Sequence, residues 1–188
     1  MNIEKIDFSK KIKEAQDEYY SDCGKNVFFK KNQKLECAHE ITKKIDLDEL
    51  LHYSMYIIPN TNRIFTDYTV LKTFLCLEVY VPTILKFIDL VEECLSKYGC
   101  YEYYLNLDTF TISAFERYKE IITVLYEISN QKGKCYSTHM IKCEIFNIPN
   151  IADMLLKLAR PYFDNKLKET IHGYNKKDSM DVIQQIFS

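Results

Sequence analysis

The residue types that most often carry chemistry are present, but poorly arranged for it. The chain has 188 residues with 7 cysteines and 4 histidines. Cys37-x-His39, with Cys23 upstream, lacks the paired spacing by which two chelating turns hold zinc. Free thiols and a surface histidine are expected there, with no metal site. His139 and His172 have no carboxylate or nucleophile at a spacing that would orient an imidazole as a base, so surface or cap roles are expected. No Gly-x-Ser-x-Gly elbow, His-Glu-x-x-His pair or P-loop occurs, and 4 glycines leave little room for a phosphate cradle. The expectation is a protein without catalytic activity or cofactor. Its remaining resource is apolar surface. Ile151, Met154, Leu155, Leu158 and Tyr162 recur at helical spacing, and each ligand methylene buried on such a stripe contributes about 0.8 kcal/mol.

The elements that would position this stripe are legible on either side. Ile141–Ile148 is short, apolar and rich in β-formers, which predicts a buried strand. Pro149 ends it, and Pro161 ends or kinks the next helix near Arg160. Upstream, Ser54–Ile58 and Arg63–Thr66 read as strands about the turn-forming Pro59-Asn60-Thr61-Asn62. Pro82 opens a helix with Ile84, Leu85, Ile88, Val91, Cys94 and Leu95 on one side, and Gly99 stops it. The aromatic Tyr101–Leu107 favours a strand, with Asp108 placed to cap the next element. Ile112–Ile128 reads as one amphipathic helix. Asp178 and Asp181 read as Ncap and N3 of a last helix. At the other end, a modest helix is predicted from about Ser9, a loop over residues 21–34, and helical turns over Leu35–Tyr53 with Asp46 or Asp48 as caps. Alternating strands and helices predict an α/β fold, a mainly parallel sheet with βαβ crossovers and a helical N-terminal segment. The expected division is an N-terminal segment over 1–50 and an α/β domain over 51–188.

Composition bounds the partners. Hydrophobic residues make up 47%, enough for a core, and the net charge of −2 provides no general attraction for nucleic acid. Fifteen tyrosines are dispersed rather than placed as a stacking platform. No apolar run reaches the roughly 18 residues of a membrane span, and Met1–Tyr20 is charged throughout, unlike a signal peptide. A cytoplasmic location with reduced thiols is expected, with peripheral membrane contact if Lys10-Lys11-Lys13, Lys30-Lys31-Lys34 and Lys176-Lys177 converge on anionic lipid.

Residues 141–171 also carry a resemblance. Asn147-Ile148-Pro149, then a helix ending in Arg160-Pro161-Tyr162-Phe163-Asp164, resemble the Asn-Ala-Pro and Lys-Pro-Phe-Leu-Asp motifs of the CRAL-TRIO (Sec-fourteen-like) lipid-binding domains. Thr170-Ile171 falls at that family's Lys-Ile position without a gap, and the likeness runs clearly over about residues 98–187 and faintly over residues 54–97. It implies a sheet that floors an apolar pocket, from Tyr103–Leu107 and Ile145–Asn147, with Ile151–Tyr162 as a gate. The implied ligand-binding residues are Leu105, Leu107, Ile145, Asn147, Ile151, Met154, Leu155, Leu158 and Tyr162. Three departures stand out. Tyr136-Ser137-Thr138-His139 replaces Tyr-Pro-Glu-Arg, Thr170 replaces the lysine, and the sequence stops at Ser188, before the family's usual closing segment. With Thr138 and Thr170 at the headgroup positions, the phosphoinositide signature is missing. A stripe such as Ile151–Tyr162 is as readily an ordinary core face as a gate. Two functions are therefore implied: binding, with possible transfer, of a phospholipid or other small hydrophobic ligand, or a protein-interaction module whose pocket is filled by Tyr103, Tyr104 and Phe146.

Overall fold

A computed structural model describes residues 3–26, 30–148 and 169–187. Three helices come first: α1 (Ile3–Cys23), α2 (Lys30–Lys44) and α3 (Leu47–Ser54). Asp46 caps α3, its side chain accepting from the Glu49 N–H, which satisfies one of the donors a helix start leaves open. Part of the stretch read as a loop over 21–34 is helical, because α2 begins at Lys30. Phe8, Ile12 and Ala15 of α1 and Ala38 and Ile41 of α2 are buried in the same apolar cluster as the sheet residue Ile64. Burial against the rest of the chain stabilises these polar-rich helices, whose own periodicity is weak.

Five strands form one sheet: β1 (Met55–Ile57), β2 (Arg63–Asp67), β3 (Tyr101–Asn106), β4 (Met140–Ile148) and β5 (Ile171–Asn175). They lie side by side in chain order. β1 pairs antiparallel to β2 and the other pairings are parallel, so the predicted mainly parallel α/β sheet is found. Between β2 and β3 come α4 (Tyr68–Leu71), a 3₁₀ turn (Leu77–Val79) and α5 (Tyr80–Tyr98). Gly99 ends α5 at φ 72°, a left-handed conformation that costs a residue with a Cβ about 1–2 kcal/mol.

Between β3 and β4 the single helix expected over 112–128 is two, α6 (Ile112–Tyr118) and α7 (Glu120–Gln131). Thr111, not Asp108, caps α6 by accepting from the Ala114 N–H; Asp108 instead accepts from Lys176 Nζ at 3.1 Å. The last helix, α8 (Lys176–Ile186), is capped by Asn175, whose side chain accepts from the N–H groups of Lys177 and Asp178. Asp178 lies inside the first turn, so the expected Asp178 cap is corrected by three residues.

Register sorts the strand residues onto two faces, because side chains alternate along a strand. Ile64, Tyr103, Cys143 and Ile171 form one row, with Thr66, Leu105, Ile145 and Gly173 in the next row of that face. Phe65, Tyr104 and Glu144, then Asp67, Asn106 and Phe146, occupy the other. The first face shares the main cluster with Ile88 and Val91 of α5. The second packs under α8, where Phe65, Tyr104, Phe146 and Ile186 are buried together.

Candidate functional site

The expected pocket floor can be located residue by residue. Leu105 in β3 and Ile145 in β4 are direct neighbours on the face shared with α5. Leu107 follows β3, and all three are half-buried. Ile145 and Leu107 pack on the main cluster, whereas among the described residues Leu105 belongs to neither cluster. Thr66, buried beside Leu105, and Gly173 complete the row, and the Ile148 side chain occupies the space over Gly173. Tyr103 lies one row back, edge-on to Phe87 of α5 at 5.2 Å, and burial raises its phenol strongly.

Tyr104 and Phe146 do not share this face. They stack at 6.2 Å on the opposite side, and Phe146 stacks on Tyr174 at 5.5 Å. A one-residue step along a strand reverses the side-chain direction, so neither ring can fill a space above Leu105 and Ile145.

Asn147 stands at φ 55°, a left-handed conformation that Asn tolerates better than most residues. Its amide donates to Asn106 Oδ1 at 2.8 Å, and its backbone N–H donates to Ser179 Oγ of α8 at 2.7 Å. Asn106 in turn donates to Asp67 Oδ1 at 3.2 Å. A chain of hydrogen bonds thus crosses the carboxyl ends of β2, β3 and β4, the edge at which open α/β sheets usually meet ligands.

The thiols offer no activated nucleophile where their ionisation is perturbed. Burial pushes Cys143, on the sheet face packed against α5, up to about 12, with Glu144 adding to the effect. Burial likewise pushes Cys76 up to about 12, reinforced by Glu78, and Cys94 up to about 11. Such thiols remain protonated near neutrality and react slowly.

The five strands and α8 lie within one matched stretch: the model of the CRAL/TRIO domain covers residues 35–188. The chain belongs to the CRAL/TRIO domain family. CRAL/TRIO proteins in general bind lipophilic ligands and are not enzymes. The comparison with curated proteins found no match.

Of the residues that the family resemblance marks for the CRAL/TRIO gate, Ile151, Met154, Leu155, Leu158 and Tyr162 lie outside the described residues, as do Pro149 and Arg160–Asp164. At one of the positions that the resemblance aligns with the family's headgroup contacts, Thr138 Oγ1 donates to the Cys135 carbonyl at 2.7 Å within a 3₁₀ turn. The nearby Tyr136 hydroxyl donates to Glu92 Oε1 at 2.6 Å. That bond, with those of Lys134, holds the Glu92 carboxyl down at about 2. Three of these lysines pair with carboxylates: Lys10 with Glu14 at 3.8 Å, Lys11 with Glu49 at 2.5 Å, and Lys176 with Asp108. Among the described residues no helix is long and apolar enough to cross a membrane.

A separate cleft of about 530 Å³ lies among α1, α2 and the Leu77–Val79 turn, lined by Tyr19, Cys23, His39, Cys76 and Glu78 among others. Sequence reasoning missed it. Cys76-x-Glu78 is visible as a pair, but nothing in the linear spacing brings His39 to it.

Proposed function

We propose that this CRAL/TRIO chain binds a phospholipid or similar hydrophobic ligand against the sheet face that carries Leu105, Leu107 and Ile145. The observation that carries the reading is the row Thr66–Leu105–Ile145–Gly173. Its side chains are short or aliphatic, and the two large rings that would fill the space point to the other face. Apolar contact of this kind yields affinity in proportion to buried area and needs no charged signature. Ile151, Met154, Leu155, Leu158 and Tyr162 are the apolar cover of the ligand in this reading, with exchange at a membrane surface when that cover opens. Thr138 and Thr170 in place of Glu and Lys direct specificity to the hydrophobic part of the ligand rather than to an inositol phosphate.

The protein-interaction alternative loses two of its three filling residues, Tyr104 and Phe146, and keeps only Tyr103. Native mass spectrometry with organic extraction of protein purified from lipid-containing cells separates the two. A reproducible adduct of lipid mass is expected, lost in Leu155→Asp and Leu158→Asp while circular dichroism still reports a folded chain. A clean apo mass, with no uptake from anionic or neutral liposomes, would overturn lipid binding and favour a protein partner.

A further inference from the structure

His39 of α2, Cys76 at the mouth of the 3₁₀ turn, and Glu78 within that turn converge at the wall of the 530 Å³ cleft. One imidazole nitrogen, the sulfur and one carboxylate oxygen all lie within 4.8 Å of one another. His39 Nδ1 stands 3.7 Å from Glu78 Oε2. That nitrogen is buried and has no hydrogen-bond partner among the described residues, which is costly for a polar atom unless something else satisfies it. Cys76 is 2% exposed, and its thiol lies against the Glu78 carboxylate.

From this geometry we infer that His39, Cys76 and Glu78 form a zinc-class metal site with an open fourth position toward the cleft. Imidazole, thiolate and carboxylate are each zinc ligands, and three protein ligands plus an open position is the usual arrangement of a site that also admits water; the Cys76 thiol, protonated without metal, gives up its proton as the metal binds. Zinc–nitrogen and zinc–sulfur bonds of about 2.0 and 2.3 Å place tetrahedral ligand atoms about 3.5 Å apart. The three groups must therefore close by about 1 Å. Rotation of the His39 and Glu78 side chains, 39% and 60% exposed, supplies this movement. Cys76 and Glu78 share one turn held by the bond from the Val79 N–H to the Cys76 carbonyl at 3.1 Å, so two ligands are presented together. His39 reaches them from a different helix. Metal would then clip α2 to the entry of α5, and because an unfolded chain lacks the site, binding would stabilise the fold by mass action.

The test uses the full chain, reduced and stripped by chelator, titrated with Co²⁺ and then Zn²⁺. A saturable one-to-one thiolate-to-cobalt charge-transfer band is expected, displaced by zinc, with a zinc-dependent rise in melting temperature. Cys76→Ser should abolish the band. His39→Gln and Glu78→Gln should weaken zinc binding by at least about tenfold, a loss already typical of outer-shell changes. Cys135→Ser, at an exposed thiol away from the cleft, should leave it intact. A titration without a saturable band, or a band that survives Cys76→Ser or vanishes with Cys135→Ser, would overturn the site. If Cys76→Ser does not fold, His39→Gln decides: unchanged zinc affinity in that variant rejects the proposal.

Discussion

At the scale of single residues, the side chains that stand out are those whose partners come from distant segments. Asn147 combines a left-handed backbone with an amide bonded to Asn106. Asn147→Ala removes that bond and leaves a Cβ at positive φ, so a loss of about 1–3 kcal/mol is expected in denaturant unfolding. Asn147→Gly loses the bond but relaxes the backbone and should cost less. Were Asn147 mainly a ligand contact, both variants would lower lipid retention and leave stability unchanged. Glu92 supplies a pH-dependent case. Its carboxyl is held near 2, below the ordinary 4.5, first by the Tyr136 hydroxyl and then by Lys134. A depressed carboxyl contributes stability that is present above the unfolded value and lost as pH falls through the folded one. Glu92→Gln should therefore be slightly less stable at pH 7, by no more than about 1 kcal/mol given its exposure. The gap should close between about pH 4.5 and 2 in thermal melts run across that range. The sequence reveals that Tyr136 and Glu92 exist. Their 44-residue separation hides the bond.

At the scale of elements, local signals did well where geometry is local. The turn at Pro59-Asn60, the stop at Gly99 and the cap at Asp46 all rest on backbone preferences that neighbouring residues express. Gly99 has nothing within 4 Å of a built Cβ, so Gly99→Ala should cost only the conformational penalty of about 1–2 kcal/mol, readable as a lowered urea midpoint with unchanged slope. The helix boundaries failed where several cap residues compete. Asn175 and Asp178 are both good caps, and the acceptor chosen depends on where β5 ends. Asn175→Ala should destabilise by about 1 kcal/mol, and Asp178→Ala by less. β5 itself, Ile-His-Gly-Tyr-Asn, has too weak an alternation to be read alone. Its pairing with β4 makes it a strand.

At the scale of the whole molecule, the two sheet faces have separate duties. The α8 face is closed by Phe65, Tyr104, Phe146 and Ile186. Ile186→Ala should cost about 2–5 kcal/mol in equilibrium unfolding, yet leave lipid uptake per folded molecule unchanged, because the proposed ligand lies on the other face. The N-terminal helices share the main cluster with the sheet, so their contribution is to the core as well as to the cleft. By itself the sequence determined the α/β class, the mainly parallel order, most strand positions and the CRAL/TRIO resemblance, since periodicity, turn residues and short motifs are written within a few residues of one another. Only the tertiary structure decided that Tyr104 and Phe146 turn away from Leu105, that Asn147 reaches Asn106, and that His39 meets Cys76 and Glu78. Register and helix packing bring residues tens of positions apart to within a few ångströms, and no local pattern of residue types encodes which partner will be there.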